Sequence, residues 1–221
     1  MFVNKESYLQ LFSGLQEKNV SLIAVSKTKP VAAIEELYAL GHRDFGENYV
    51  QELLSKSEVL PKDIHWHFIG HLQSNKVKQI ISFVHLIHGV DSEKLLVEIQ
   101  KQSLKAGRHV DVLLQMHIAK EETKYGLDEK ELSQILANIN NHAYPNVNIR
   151  GLMGMASFTD NLTEVRNEFR QLKLYFDDAR KRLNETMFDT LSMGMSGDYQ
   201  IAVEEGSTMI RIGSLLFGKR S

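Results

Sequence analysis

Short apolar runs rich in β-branched residues recur along the chain, each followed by a polar loop and then by apolar positions at helical spacing. Ser21–Lys27, Asp44–Asn48, His65–Gly70, Val84–His88, Val110–Ala119, Val147–Met155, Thr190–Gly194 and Met209–Gly213 read as strands, and Asn4–Lys18 reads as a helix ahead of them. The intervening helices carry their own ends. Asp91-Ser92 is a cap ahead of Leu95, Leu96 and Ile99, with Gly107 at the far terminus, and Asn161 with Glu164 opens a stripe from Val165 through Phe169, Leu172, Phe176, Ala179 and Leu183. Such alternation belongs to βα units around a parallel sheet. Eight strands in 221 residues leave about 28 residues per unit, tighter than the roughly 250-residue norm of an eightfold barrel yet workable with short loops. The pattern therefore predicts an α/β fold, a single (β/α)8 TIM barrel with an extra N-terminal helix. A doubly wound open sheet is the rival. It would carry a G-x-G-x-x-G phosphate loop after its first strand, where this chain has Ser26-Lys27-Thr28-Lys29-Pro30.

Composition narrows the function classes. No Pro-rich linker, low-complexity tract or repeat divides the chain, so one domain over residues 1–221 is expected. Hydrophobic residues at 43% and charged residues at 24% are those of an ordinary globular protein and exclude disorder. With 26 Lys and Arg against 28 Asp and Glu there is no overall positive field to hold a phosphate backbone, and a nucleic-acid partner is not expected. The absence of Cys excludes disulfides, thiolate nucleophiles and Cys-based metal sites, and fits a reducing compartment. Lys5, Glu6, Glu17 and Lys18 interrupt the N-terminal region where an export signal would be apolar. Ile80–Val90, broken by Ser82, His85 and His88, is far shorter than the roughly 20 residues of a membrane span. A cytoplasmic protein with no membrane partner is the expectation.

In a parallel barrel the C-terminal ends of the strands converge on one face, which makes polar groups there the first candidates for chemistry. The first strand delivers Lys27 to that face. A loop lysine is ordinarily solvated and charged, with only about one in 2,500 neutral at pH 7 from its reference value. At the mouth of an apolar barrel it loses hydration, which favours the neutral amine, the form that attacks carbonyls. After strands seven and eight, Gly194-Met195-Ser196-Gly197-Asp198 and Arg211-Ile212-Gly213-Ser214 offer small residues, free backbone donors and hydroxyls where barrels commonly bind phosphate. They read equally as plain turns. An amine and a phosphate cradle on one face suit a ligand with an aldehyde at one end and a phosphate at the other. His65 and His67 share a face of the third strand, but with no Cys and no following carboxylate the pair reads as hydrogen-bonded packing in preference to a metal site.

Six blocks carry a resemblance: Ala24-Val25-Ser26-Lys27-Thr28-Lys29-Pro30, Phe45-Gly46-Glu47-Asn48-Tyr49-Val50-Gln51-Glu52, Trp66-His67-Phe68-Ile69-Gly70-His71-Leu72-Gln73-Ser74-Asn75-Lys76, Arg150-Gly151-Leu152-Met153, Leu191-Ser192-Met193-Gly194-Met195-Ser196, and Gly206-Ser207-Thr208-Met209-Ile210-Arg211-Ile212-Gly213. Together, in this order, they resemble the pyridoxal phosphate homeostasis protein family, the YggS/PROSC-like proteins. The resemblance implies a barrel similar to the N-terminal domain of alanine racemase, with pyridoxal 5′-phosphate (PLP) joined to Lys27 as an internal aldimine. It implies that Ser196, Gly213 and Ser214 hold the phosphate, that Arg211 faces the pyridine nitrogen, and that Asn48 and Met153 line the pocket. The family often has Thr at the place of Ser214, which keeps the hydroxyl, and Pro at the place of His71.

A guanidinium beside the ring nitrogen disfavours its protonation and makes the ring a poorer electron sink. Racemases with the same Arg use a second base from an additional β-rich domain and a dimer partner. This chain ends eight residues past Gly213, so neither that domain nor a dimer is expected, and a monomer is. The reading is a PLP carrier or regulator with little or no turnover that hands the cofactor to apo PLP-dependent enzymes. The alternatives are a PLP-dependent amino-acid racemase of low activity and, further off, a phosphosugar-binding barrel. Whether Lys124 or Lys29 is a second acceptor during transfer is left open by the sequence.

Overall fold

The computed structural model describes residues 2–121, 125–183 and 187–218. Its strands are β1 (Ser21–Val25), β2 (Asp44–Glu47), β3 (His65–Phe68), β4 (Leu86–Val90), β5 (Val110–Gln115), β6 (Val147–Met153), β7 (Thr190–Ser192) and β8 (Met209–Ile212). The helices are α1 (Lys5–Gln16), α2 (Val31–Tyr38), α3 (Val50–Val59), α4 (Val77–Ile80), α5 (Glu93–Ala106), α6 (Glu129–Asn140), α7 (Leu162–Leu183), α8 (Tyr199–Glu204) and α9 (Ser214–Phe217). All strand pairs are parallel, and β1 closes the barrel by pairing Ile23 with Arg211 and Ala24 with Ile212 of β8. The expected barrel and its N-terminal helix are both present, and the open-sheet rival is removed.

Period-two alternation explains the two layers of core. Leu22 and Ala24 of β1, Trp66 and Phe68 of β3, and Ile210 and Ile212 of β8 face outward into the packing between barrel and helices. Ile23, Leu86, Leu113, Met153 and Met209 form a separate inner cluster. Between β5 and β6 the register slips: Ile149 pairs with Val112 and Gly151 with Leu113, which leaves Arg150 as the additional residue of a bulge.

The caps read from the sequence are in place. Asn4 accepts from the Ser7 amide, Ser92 from the Leu95 amide and Asn161 from the Glu164 amide, and Gly107 closes α5 in the left-handed conformation. Strand ends depart from the apolar runs for identifiable reasons. Val84 donates to Ile80 and so completes the turn of α4, which moves β4 from Val84–His88 to Leu86–Val90. The run Val110–Ala119 stops as strand at Gln115 because Met116 and His117 turn to pair with Leu127. Ser21–Lys27 stops at Val25, where the Lys29 amide donates to the Ser26 carbonyl and makes a turn.

Candidate functional site

Lys27 lies half-buried in the turn that follows β1, at the C-terminal end of the barrel. The next residue, Thr28, has φ of 63°, a left-handed conformation that a β-branched residue adopts only under constraint. The constraint is visible. The Thr28 amide donates to Glu52 Oε1 at 2.6 Å, and the Lys56 ammonium on α3 donates to the Ser26 carbonyl (2.8 Å), to Glu47 (2.8 Å) and to Glu52 (2.7 Å). Ser26 Oγ completes the cluster with a 2.6 Å bond to Glu47. The turn bearing Lys27 is thus clamped from behind by three charges on β2 and α3. Burial pushes the Glu47 carboxyl up, against the pull of Lys56, and its Oε2 is buried without a hydrogen-bond partner among the described residues.

The other strand ends close round the same mouth. Asn48 follows β2 directly, and its backbone lies so close to Gly70 that a Cβ at residue 70 would collide with the Asn48 carbonyl oxygen. Asn48 Oδ1 is itself buried with no partner among the described residues. The Gly213 amide donates to Ser196 Oγ at 3.4 Å, which joins the loops after β7 and β8, and Gly213 lies against Val25 at the end of β1. Gly194 has φ of 96°, and a side chain there would press on Ala202 of α8. Ser214 stands exposed at the first residue of α9, and Met153 lies deeper, within the inner cluster.

Arg211 projects from β8 into the barrel and is 4% exposed. Its Nη1 donates to Ser192 Oγ (2.6 Å) and to the Ser192 carbonyl (2.9 Å), and its Nη2 to the Gly154 carbonyl (3.1 Å). Among the described residues it makes no ion pair. Burial pulls its value down to about 10, opposed by the more distant Asp198 carboxylate, so the group keeps its charge at neutral pH.

The residues singled out from the sequence, Lys27, Asn48, Met153, Ser196, Arg211, Gly213 and Ser214, therefore all stand at strand ends or the inner wall of one end of the barrel. Lys29 donates to the Phe217 and Gly218 carbonyls at the end of α9. Lys124 lies outside the described residues. His71 bonds to Asp91 at 2.8 Å and stacks on Tyr125, tying together the loops after β3, β4 and β5. His67 makes the packing hydrogen bonds foreseen for it, to His88 and Asp44. Sequence reasoning missed the Glu47–Lys56–Glu52 clamp and the seat of Arg211 on Ser192. For the clamp, Glu52 and Lys56 at i and i+4 on one helix were the available signal.

The chain has known counterparts. A model of the alanine racemase N-terminal domain matches residues 8–221. The pyridoxal phosphate homeostasis protein of Aquifex aeolicus is 42% identical over 209 residues, covering 94% of this chain and 90% of that protein. Its human namesake is 41% identical over 210 residues, covering 90% and 76%. The solved structure of PipY from Synechococcus elongatus PCC7942 with PLP bound matches at a TM-score of 0.86 and 38% identity, over 96% of this chain and 99% of that one.

Proposed function

This chain belongs to the pyridoxal phosphate homeostasis protein family, and from that membership we propose that it binds PLP at the barrel mouth and serves intracellular PLP homeostasis, storing and supplying the cofactor with little or no turnover. The observation that carries the reading is Arg211, a buried cation whose partners among the described residues are all neutral oxygens. An uncompensated charge in a barrel interior costs several kcal/mol as an order of magnitude, and an electron-rich ligand held against it offsets that cost. The orphaned Asn48 Oδ1 is a second unmet polar group at the same end. The residues fit the ligand.

In this reading Lys27 supplies the amine that holds the aldehyde, Ser196, Gly213 and Ser214 hold the phosphate, and Asn48 and Met153 line the pocket. When bound, PLP supplies an aldehyde that takes up amines reversibly. The clamp of Lys56, Glu47 and Glu52 fixes the backbone on both sides of Lys27, and so fixes where its amine enters the mouth. Arg211 stays cationic and disfavours a further proton on any base held against it. That property works against transaminase chemistry, whereas racemisation is compatible with the same Arg and needs a second base. We take the protein to act as one domain over residues 1–221, as a cytoplasmic monomer that supplies apo PLP-dependent enzymes. No helix among the described residues is long and apolar enough to cross a membrane.

Excess PLP added to the purified protein should produce a new visible absorbance. Borohydride reduction and peptide mapping should then place the pyridoxyl group on Lys27, and Lys27→Ala should lose the principal adduct. A protein that stays colourless, or that is labelled only elsewhere, overturns the reading. A panel of D- and L-amino acids tests the remaining step, since turnover comparable with a dedicated racemase would make the protein an enzyme.

A further inference from the structure

A continuous line of polar side chains crosses the barrel interior from its N-terminal end to Arg211. Asp44 at the start of β2 is hydrogen-bonded through Oδ1 to His67 Nε2 at 3.2 Å, and His67 Nδ1 meets His88 Nε2 at 3.0 Å. His88 Nδ1 meets Ser192 Oγ at 3.3 Å, and Ser192 Oγ accepts from Arg211 Nη1 at 2.6 Å. His67, His88, Ser192 and Arg211 are all buried. Beside the inner apolar cluster of Ile23, Leu86, Leu113, Met153 and Met209, four successive buried polar groups in contact are a built feature.

The two ends of the line fix its direction. A guanidinium only donates, so Ser192 Oγ is an acceptor toward Arg211 and its own proton is left to donate to His88 Nδ1. His88 Nδ1 is then the bare nitrogen and Nε2 carries the proton, which it donates to His67 Nδ1. His67 in turn carries its proton on Nε2 and donates to the Asp44 carboxylate. Every site is used once, and both imidazoles are neutral. The reverse polarity would set a bare His67 nitrogen against a carboxylate and leave the Ser192 proton without an acceptor in the line. We propose that Asp44, His67, His88 and Ser192 form a one-directional hydrogen-bond relay that positions the Arg211 guanidinium, so that a carboxylate at the opposite end of the barrel governs how Arg211 meets PLP.

The charged and titratable groups facing the pair are Asp44 on β2, His65 on β3, His85 ahead of β4 and Arg211 on β8. Burial pushes both imidazoles below their usual value, His88 far below, with His67 and Arg211 adding to the effect there. Both therefore stay neutral across the physiological range, as the line requires. Asp44 stays ionised: burial works to raise it and is outweighed by the hydrogen bonds and the electrostatic attraction of His67 and His65, which together bring it to about 2.

The relay role for PLP rests on the functional reading above, but its hydrogen-bond order does not. Long-range proton–nitrogen correlation spectra of the ligand-free protein distinguish the two neutral imidazole forms and the imidazolium. His67 and His88 should both appear as the Nε2–H form between pH 6 and 8. An Nδ1–H form or an imidazolium at either position overturns the relay, and this measurement needs no substitution that could disturb folding. Asp44→Ala should abolish the single form at His88, two hydrogen bonds away. Asp44→Asn, whose amide oxygen still accepts, should keep it. An unchanged His88 in folded Asp44→Ala overturns the coupling. With PLP added, Asp44→Ala should raise Kd about fivefold and Asp44→Asn less than about twofold, a modest coupling between distant sites. Equal affinities in the two variants overturn the positioning role. A wild-type protein that took up no PLP would overturn the functional reading and leave the hydrogen-bond order to the spectra.

Discussion

The two ends of the barrel hold their charges in opposite ways. At the N-terminal end, a cavity of about 430 Å³ is lined by Asp44, His67, His85, Asp111, Arg150 and Asp189, among others, and its charged groups satisfy one another. Arg150 bridges Asp111 at 3.0 Å and Asp189 at 2.9 Å, and Asp44 accepts from both His65 and His67. The C-terminal end is left incomplete. Among the described residues Asn48 Oδ1 and Glu47 Oε2 are buried without partners and Arg211 has only neutral ones, and Thr28 is held in a left-handed turn. Polar groups that complete one another serve the fold, whereas unmet groups and a strained turn await a ligand.

The largest test of that contrast is Lys56→Met. Lys56 is nearly buried against a fully buried Glu47, and removing one partner of such a pair leaves an uncompensated charge, costing about 3–5 kcal/mol. Urea unfolding should show that loss, with PLP uptake weakened in the molecules that remain folded. Arg150→Met removes an ion-pair centre at the other end, where Arg150 and its partners are a quarter to nearly a half exposed, and should cost only about 1 kcal/mol while leaving PLP affinity unchanged. A loss of PLP affinity in Arg150→Met would erase the distinction between the ends.

Acid comes between these two in size. Burial holds His67 and His88 below the usual histidine value of 6.5 in the folded protein. Above that value both states are neutral and pH has no effect. Below it the unfolded chain takes up protons that the folded chain refuses, so stability falls with pH, by roughly 1.4 kcal/mol per unit for each such histidine. Two of them should remove up to about 2 kcal/mol between pH 6.5 and 5.5, because the unfolded histidines are only half protonated at the start of that interval. A flat unfolding free energy over that unit would mean that the interior histidines are protonated in the native state. The depressed Asp44 adds a separate loss only from about pH 4 downward, through its folded value of about 2.

Much of this contrast was legible in the sequence, though not evenly. Strand periodicity placed Lys27, Ser196, Gly213 and Ser214 at strand ends because alternation and turn chemistry are local signals. The resemblance supplied Asn48, Met153 and the orientation expected of Arg211. What stayed hidden was contact between elements distant in the chain. Ser192 lies 104 residues from His88, and nothing near either announces that a closed barrel brings the two together. His67 showed its strand face, but its partners depended on β4 and β2 flanking β3. The end of β5 was misjudged because apolar residues continued after the pairing had stopped, and β4 was placed too early because apolar Val84 still belongs to the turn of α4.

The smallest effect probes the strained turn. In Thr28→Gly the left-handed backbone loses its Cβ penalty, a matter of about 1–2 kcal/mol for an L-residue. The unfolded chain meanwhile gains freedom that returns about half of this, which leaves a net gain of roughly 0.5–1 kcal/mol. The amide bond to Glu52 survives, since it comes from the backbone. What goes is the stiffness that holds Lys27 in one place, so PLP affinity should fall about twofold while the unfolding free energy rises. Gain of stability with loss of affinity is the signature of strain kept for a ligand. If both fell together, the Thr28 side chain would be making a stabilising contact of its own, and the turn would belong with the self-satisfied end of the barrel.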